Sequence, residues 1–505
     1  MGISLDAGSI IRNVVRYCLR LFFYLFTAVI ITSVCIFFIH KRERKRKLLL
    51  PGIPLVHSPK SSDFRTLLDQ ANGKDPTVII PPHCIEELKN LPDSQLSTNG
   101  SMYDRFAIRW TNSGWVDKEL AHSIKYDLAN DVDDFFPTIQ DEIQHASDNS
   151  LPISDSWSSH GLQEVLINIV GPVLGRMMVG SPLNRDTRWL SSSIDHAIAV
   201  VVYSTWLRQF PSIPRPMLAH ISPQKRAIER SKKGISESIA PIIEERMKGN
   251  QKVKSSPFEN GRLVRWLLKR YKPSQNPEFD PSLIFRDHYS LCFAAIHGPT
   301  FLLVQAIIDL ASYPQYLTPL REEIDRELLN VPFEGWTRET VARMKLLDAF
   351  CKESARMNLQ GIIGWLRKTH KPITLSTGHT IPPNTLVAAK NPRYNARATP
   401  WAENAEEFRP ERWLQDQSDP SPNANWRFEA ATIDSLIFGY GKHACSGRPF
   451  GVTMVKDILS YIVAKWDVRL AGGKREGPQN KSIDFVVMPP IEPLGDLKVD
   501  FKLRS

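Results

Sequence analysis

Hydrophobic positions fall into three regimes along this chain. The first is an unbroken apolar run. Leu21–Ile39 carries no charge over 19 residues, and thirteen of them are Leu, Ile, Val or Phe. As a helix it spans about 28 Å, close to the roughly 30 Å hydrocarbon core of a bilayer. Its apolar residues favour insertion by roughly 4–8 kcal/mol. The run is too long for the apolar region of a signal peptide, and no small-residue cleavage site comes after it. The basic run Lys41-Arg-Glu-Arg-Lys-Arg-Lys47 stands there instead, and then a stiff turn at Pro51-Gly-Ile-Pro54. The expected organisation is a membrane anchor over residues 1–50, with its transmembrane helix at about 21–39, and one globular unit over 51–505. Three arginines precede the span (Arg12, Arg16, Arg20) and six basic residues succeed it, which directs the body to the cytosol.

The second regime is helical. Ser191–Gln209 is largely apolar and stops before the proline-rich stretch Pro211–Pro216; Gln224–Met247 is basic and then amphipathic. Apolar residues around Phe210, Ile213, Met217 and Leu218 fit either a membrane contact or a packed loop. Ser282–Ser312 is too apolar for a surface helix, and Pro299 interrupts it. The sequence Ala294-Ala-Ile-His-Gly-Pro-Thr300 favours a cavity beside that interruption over a packing accident. Lys345–Asn358 predicts a further helix, as does Gly447–Trp466. The third regime is short and strand-like: Gly364–Arg367, Ile373–Leu375 and Thr385–Ala389. The expected class is mainly α with small β-sheets.

Composition excludes several functions. The 505 residues are 42% apolar, enough for a large core, with no internal repeat. The six cysteines (Cys18, Cys35, Cys84, Cys292, Cys351, Cys445) form no C-x-x-C pair, which fits a reducing compartment and not a disulfide scaffold. No H-E-x-x-H or paired Cys/His cluster suggests zinc. The net charge of +10 is largely local, since Lys41–Lys47 alone contributes five. No nucleic-acid motif accompanies it, so nucleic acid is not an expected partner. Asn99-Gly-Ser101 and Asn480-Lys-Ser482 are glycosylation sequons that a cytosolic body leaves bare.

The chemistry concentrates at Phe438-Gly-Tyr-Gly-Lys-His-Ala-Cys-Ser-Gly447. A cysteine with Phe seven residues before it, Gly four before, His two before and Gly two after matches by chance about once in a few million windows. Glycines let the backbone wrap the sulfur, and the basic flank (Lys442, His443, Arg448) favours a thiolate. The helix expected directly after the loop adds its amino-terminal dipole. Glu353-x-x-Arg356 places both charges on one helix face, although Glu259/Arg262, Glu323/Arg326 and Glu406/Arg409 share that spacing. Phe408-Arg-Pro-Glu-Arg-Trp413 lies between the two motifs.

In this order the three motifs resemble the cytochrome P450 family of haem-thiolate monooxygenases, in particular membrane-bound fungal enzymes of secondary metabolism. The resemblance extends over almost the whole chain. It implies the cytochrome P450 fold behind one amino-terminal transmembrane helix. It makes Cys445 the axial ligand of haem iron, with Phe438 and Gly447 shaping the loop and Arg367 and His443 as propionate partners. An earlier basic residue, His122 or Lys125, is a further candidate there. Glu353, Arg356 and Arg412 become a buried structural network. The chain departs from the family where an acid and then Thr usually stand, since it carries His297 and Gly298, then Pro299 and Thr300. Thr300, His297, an ordered water or a substrate hydroxyl are the candidates for proton delivery, and His297 also reads as a structural residue satisfied by a carbonyl. The resemblance further implies O2 as co-substrate and NADPH-derived electrons from a separate reductase, NADPH-cytochrome P450 reductase, with cytochrome b5 as a second donor. The expected location is the endoplasmic reticulum membrane. The expected substrate is a lipophilic natural-product intermediate, with a terpenoid or indole-terpenoid first. A basic patch of Lys442, Arg448 and Lys456 is the expected dock for the reductase. Two other classes stay open on sequence: a haem-thiolate isomerase, dehydratase or desaturase, and a non-catalytic haem- or lipid-binding membrane protein.

Overall fold

A computed structural model of the chain describes residues 77–210, 214–247, 261–271, 279–358, 363–391, 404–414, 424–473 and 497–504. The expected anchor, its basic stop, the Pro51–Pro54 turn, residues 211–213 and the Asn480 sequon lie outside the described residues.

Strand β1 (Thr77–Ile80) leads to helix α1 (Cys84–Leu88), strand β2 (Leu96–Ser97) and helices α2 (Thr98–Arg105), α3 (Ile108–Thr111) and α4 (Lys118–His122). A π turn at Ser123–Asp127 joins α4 to α5 (Leu128–Ser150). After β3 (Ser158–Gly161) come α6 (Leu162–Met178), α7 (Thr187–Arg208), α8 (Arg215–Ile221), α9 (Pro223–Met247) and α10 (Leu263–Tyr271). The core helices are α11 (Ser282–Ala295) and α12 (His297–Ser312), followed by α13 (Leu317–Asn330), α14 (Arg338–Arg343) and α15 (Lys345–Met357). Strands β4 (Ile363–Thr369), β5 (Ile373–Thr374), β6 (Thr380–Ile381) and β7 (Leu386–Lys390) precede α16 (Arg448–Lys465), β8 (Trp466–Leu470) and β9 (Lys498–Leu503). The class is mainly α with small sheets.

The larger sheet has the order β1-β7-β4-β2, with β1 parallel to β7 and the other pairs antiparallel. Its register sets Arg367 of β4 opposite Val387 of β7. A second sheet has the order β3-β9-β8, and β5 pairs with β6. Helix α12 runs through the main core, burying Leu303, Val304, Ile307 and Leu310. Burying such side chains stabilises by about 1.5–3 kcal/mol each, more than the helix propensity of the segment supplies. Among the described residues, Ser282–Ser312 is the segment long and apolar enough to cross a membrane, yet it is spent on this core. Helices α7 and α9 pack closely because Gly234 has no side chain: a Cβ there would lie 2.9 Å from that of Ser192.

One core contact carries an unusual cost. Asp457 of α16 is fully buried against α5. Gln140 of α5, also fully buried, approaches it, but neither Asp457 oxygen has a hydrogen bond of good geometry. Burial pushes its carboxyl up to about 8. Folding therefore keeps a proton that the unfolded chain releases above about pH 4, so the penalty grows as pH rises through that window. Asp457→Asn removes the ionisable group and keeps the shape. Thermal unfolding at pH 8 should show the variant more stable by about 1–3 kcal/mol, with a smaller gap at pH 5.

Candidate active site

The cysteine loop is shaped by two left-handed glycines, Gly439 (φ 70°) and Gly441 (φ 79°). Residue 441 must be glycine for a second reason: a Cβ there would lie 2.9 Å from the Lys89 carbonyl of the segment after α1. The N–H of Cys445 donates to the Phe438 carbonyl at 2.8 Å, closing the loop. Backbone N–H groups of Gly447 and Arg448, at the start of α16, hydrogen-bond the Cys445 thiol. The Arg448 guanidinium reaches the Cys445 carbonyl at 2.9 Å and the Glu429 carbonyl at 3.0 Å.

Cys84, Cys292 and Cys351 are buried, whereas the Cys445 side chain is exposed. Burial nevertheless is the largest influence on its thiol and pushes it up, against the two N–H groups and Arg448. Exposure and desolvation are compatible when the sulfur opens onto a hollow inside the protein. The flank differs from the sequence expectation. Arg448 acts on the sulfur, but Lys442 and His443 turn to Asp93, at 3.2 and 2.7 Å.

Arg367 on β4 is nearly fully buried, at 5% exposure. Its guanidinium donates to the Leu366 carbonyl at 2.8 Å and to the Tyr440 carbonyl at 3.5 Å, and lies 4.5 Å from the centre of the Trp365 ring. Among the described residues no carboxylate forms an ion pair with it, and burial pushes it down to about 10. A buried cation without an acid is costly unless an anion joins it. Of the earlier candidates, Lys125 is exposed over the Tyr126 ring, and the His122 ring meets the same tyrosine edge-on. Ile124 between them touches the cysteine loop: a Cβ on Gly447 would lie 3.5 Å from its Cγ2.

Helices α11 and α12 meet at Ile296, where Pro299 has no N–H to continue the ladder. The next bond, Thr300 N–H to the Ile296 carbonyl, is stretched to 3.4 Å. The buried Thr300 hydroxyl donates to that same carbonyl at 2.8 Å. His297 Nε2 lies 2.9 Å from the Ile194 carbonyl of α7, and burial pushes its pKa down. Four residues apart on one face, Ala294 is exposed and a Cβ on Gly298 would meet nothing within 4 Å. The interruption thus borders open space at these two positions.

Glu353, Arg356 and Arg412 come together. Glu353 is fully buried and accepts five hydrogen bonds. Arg356 gives two, from Nη2 at 2.8 Å and Nε at 2.9 Å. Arg412 Nε donates at 3.1 Å, the Arg409 N–H at 2.9 Å and the Trp413 indole at 2.9 Å. The remaining guanidinium hydrogens reach the carbonyls of Asn404, Ala405 and Glu407. The network therefore fastens α15 to residues 404–413.

A sequence model of the family described as "Cytochrome P450" matches residues 127–494. That is well over half of the chain. The chain belongs to the cytochrome P450 family. Curated relatives agree along most of both lengths. Cytochrome P450 monooxygenase ascG of Acremonium egyptiacum is 27% identical over 460 residues, 85% of this chain and 85% of its own. Cytochrome P450 monooxygenase ataF of Aspergillus terreus is 26% identical over 476 residues, 92% of this chain and 94% of its own. Cytochrome P450 monooxygenase 71 of Postia placenta is 29% identical over 415 residues, 80% of each.

This P450 is accordingly a monooxygenase, and the cofactor of its family is haem on a cysteine thiolate, with NADPH-derived electrons delivered by a reductase. The chain has groups that suit that cofactor: an accessible sulfur held by two N–H groups, and a buried guanidinium whose nearest acid, Asp93, is paired with Lys442 and His443. The reductase patch needs correction. Lys456 is 3% exposed and pairs with Asp348 at 2.9 Å, so it is a core residue. Sequence reasoning also missed Lys352, next to Glu353. It is fully buried, donates to the carbonyls of Asn425 and Arg427 and lies 4.2 Å from the centre of the Trp413 ring. Asp348 binds the Phe428 N–H at 2.8 Å as well as Lys456. These residues tie α15 to the chain leading into the cysteine loop, and a single Lys or Asp in a helix gives no sign of such a role.

Proposed function

We propose that the Cys445 thiolate would hold the iron of a haem. The observation that carries this reading is the Cys445 sulfur: exposed, yet desolvated enough that burial dominates its thiol, and held by the N–H groups of Gly447 and Arg448. Arg367 would hold a haem propionate, an anion for a buried guanidinium that has no ion pair among the described residues and feels only Asp93 at longer range. His443 is the second basic group on that edge, steadied by Asp93. Phe438 closes the loop by accepting the Cys445 N–H at its carbonyl. Bound haem supplies activation of O2 for insertion of one oxygen atom into an unreactive bond. The protein does the rest. Gly447 and Arg448 stabilise charge on the sulfur. The Glu353–Arg356–Arg412 network fixes the loop side of the core. Ala294 and Gly298 leave open space in which a substrate would sit. Thr300 and His297 remain the protein's candidates to move protons there. Each donates to a carbonyl, of Ile296 and Ile194, which leaves the Thr300 oxygen lone pairs and His297 Nδ1 to take part.

Residues 1–50 anchor the enzyme as a single pass in the endoplasmic reticulum membrane, and 51–505 form the catalytic domain on the cytosolic side. The apolar length and the polybasic stop support this. Helix α8 supports a second lipid contact, with Met217 64% exposed and Ile221 67% exposed on one face. NADPH-cytochrome P450 reductase is the electron donor, with cytochrome b5 as an auxiliary. The substrate is a lipophilic intermediate of fungal secondary metabolism, a terpenoid or indole-terpenoid in the first instance. The fungal relatives and the open space beside Ala294 and Gly298 support this class.

A second reading, in which the haem serves isomerisation, dehydration or desaturation without oxygen insertion, is favoured by one observation: position 298 offers no hydroxyl and that of Thr300 is spent on a backbone carbonyl. Turnover under isotopically labelled O2 with reductase and NADPH separates the two. The first reading expects one labelled atom in the product; a product without label removes it in favour of the second.

A further inference from the structure

Residues 112–117 cross from α7 to α11 above the core. Asn112 (φ 51°) and Gly114 (φ 84°) are left-handed, which lets the chain turn sharply. Ser113 is fully buried, and its hydroxyl lies 2.8 Å from His196 Nε2 of α7. A Cβ on Gly114 would lie 3.3 Å from the Phe293 ring of α11, beside Ala294. At the far end Asp117 caps α4, its Oδ1 accepting the Leu120 N–H at 3.0 Å.

The other oxygen of Asp117 enters a cluster built by α10 and α11. The Tyr271 hydroxyl lies 2.9 Å from Asp117 Oδ2 and 2.6 Å from Asp287 Oδ2. Arg286 Nη2 contacts Asp117 Oδ2 and lies 3.0 Å from Asp287 Oδ1. Asp287 is fully buried. The tyrosine has one hydroxyl proton and two carboxylate oxygens at hydrogen-bond distance. It satisfies one of them; the other contact requires a proton on a carboxyl group. The charges agree: two carboxylates and one guanidinium leave one uncompensated negative charge, and one proton cancels it.

We propose that residues 112–117 form a pH-sensitive strap over the core, held down when the Asp287 carboxyl beneath it is protonated. Without that proton the two carboxylates repel each other across Tyr271, and the Asp117 end of the strap lifts from α10 and α11. Burial first, and then Asp117, raise the Asp287 carboxyl to about 6, against the Tyr271 bond and Arg286. The Tyr271 hydroxyl is pushed far upward and keeps its proton. At the other end His196 also meets Ser231 of α9 at 2.9 Å; burial, with Lys232 and His288, pushes it down to about 3, so it stays neutral while the cluster titrates. The neighbouring Arg270–Asp127 pair of α10 and the π turn is a separate ion pair at 2.6 Å, and Arg270 also reaches the His122 carbonyl. The strap does not depend on what Cys445 binds.

Hydrogen–deuterium exchange of the full-length holoenzyme, corrected for the chemical rate at each pH, tests this. Peptides covering 108–120 should open roughly tenfold more at pH 7.5 than at pH 5.5. Asp287→Asn, which carries permanent donor hydrogens, should stay protected at both pH values. Tyr271→Phe, which removes the bridge, should be open at both. A wild-type segment with equal protection at the two pH values overturns the proposal. So does a pH effect that survives in either variant, which would place the titrating group elsewhere, for instance at His122.

Discussion

Glu353→Gln is expected to lose native stability and haem together. The substitution keeps the side chain's size but removes the charge that Arg356 and Arg412 share. Glu353 is fully buried, so both guanidiniums remain in the interior with carbonyls but no acid. An amide also carries hydrogens where Glu353 accepts the Trp413 indole and the Arg409 N–H, so one of those contacts turns repulsive. Breaking a buried pair in this way costs about 3–5 kcal/mol. That is a large part of the stability of an ordinary domain. The surface offers the control. Arg338 and Asp133 pair at 2.7 Å but are 39% and 68% exposed, and Arg338→Ala should cost under about 1 kcal/mol. Soluble yield, thermal midpoint and haem content measured side by side decide. A Glu353→Gln enzyme with normal haem content and a loss near that of Arg338→Ala would contradict the structural role given to this network.

The network also shows what the sequence could and could not disclose. Glu353 and Arg356 share a face because they are three apart on a helix, yet the same spacing occurs at Glu323 and Arg326. There the carboxylate instead accepts the N–H groups of Leu346 and Leu347. Spacing alone did not separate them; the order of the three motifs did. The Trp413 indole and Arg409 N–H come from a segment nearly sixty residues on, and local pattern carries no trace of such a contact. The cysteine loop was more legible, because left-handed turns demand glycine and Gly441 stands where they do. Its electrostatics were less so. His443 looked like a cation beside the sulfur, but Asp93, 350 residues earlier, draws it away.

Buried charge was the largest blind spot. Lys456 was expected on the surface, and nothing local in the sequence marks Lys352, Asp287 or Asp457 as interior, yet the structure buries all four. Composition rules place charges outside because an unpaired interior charge is costly. Three of these four have partners from other elements, which only the fold brings together. Helix and strand positions fared better, because they follow from local periodicity. Lys345–Asn358 and Gly447–Trp466 were expected as helices, and Lys345–Met357 and Arg448–Lys465 are found. The interruption near Pro299 followed from one missing N–H, and the structure places it at Ile296.

Cys445→Ser is the substitution with the most selective expected effect. The serine oxygen can accept the N–H groups of Gly447 and Arg448, and it is close in size to the sulfur it replaces. The fold, the Glu353 network and the Arg367 site are therefore expected to survive. What a neutral alcohol does not supply is thiolate character at the metal. The direct measurement is the absorption spectrum of the reduced carbonyl complex, recorded for wild type and Cys445→Ser at matched protein concentration and with the thermal midpoint as a check on folding. Wild type is predicted to give the thiolate-type shift, and a folded Cys445→Ser enzyme to lack it. A folded variant that keeps the shift would contradict the assignment of Cys445 as the ligand.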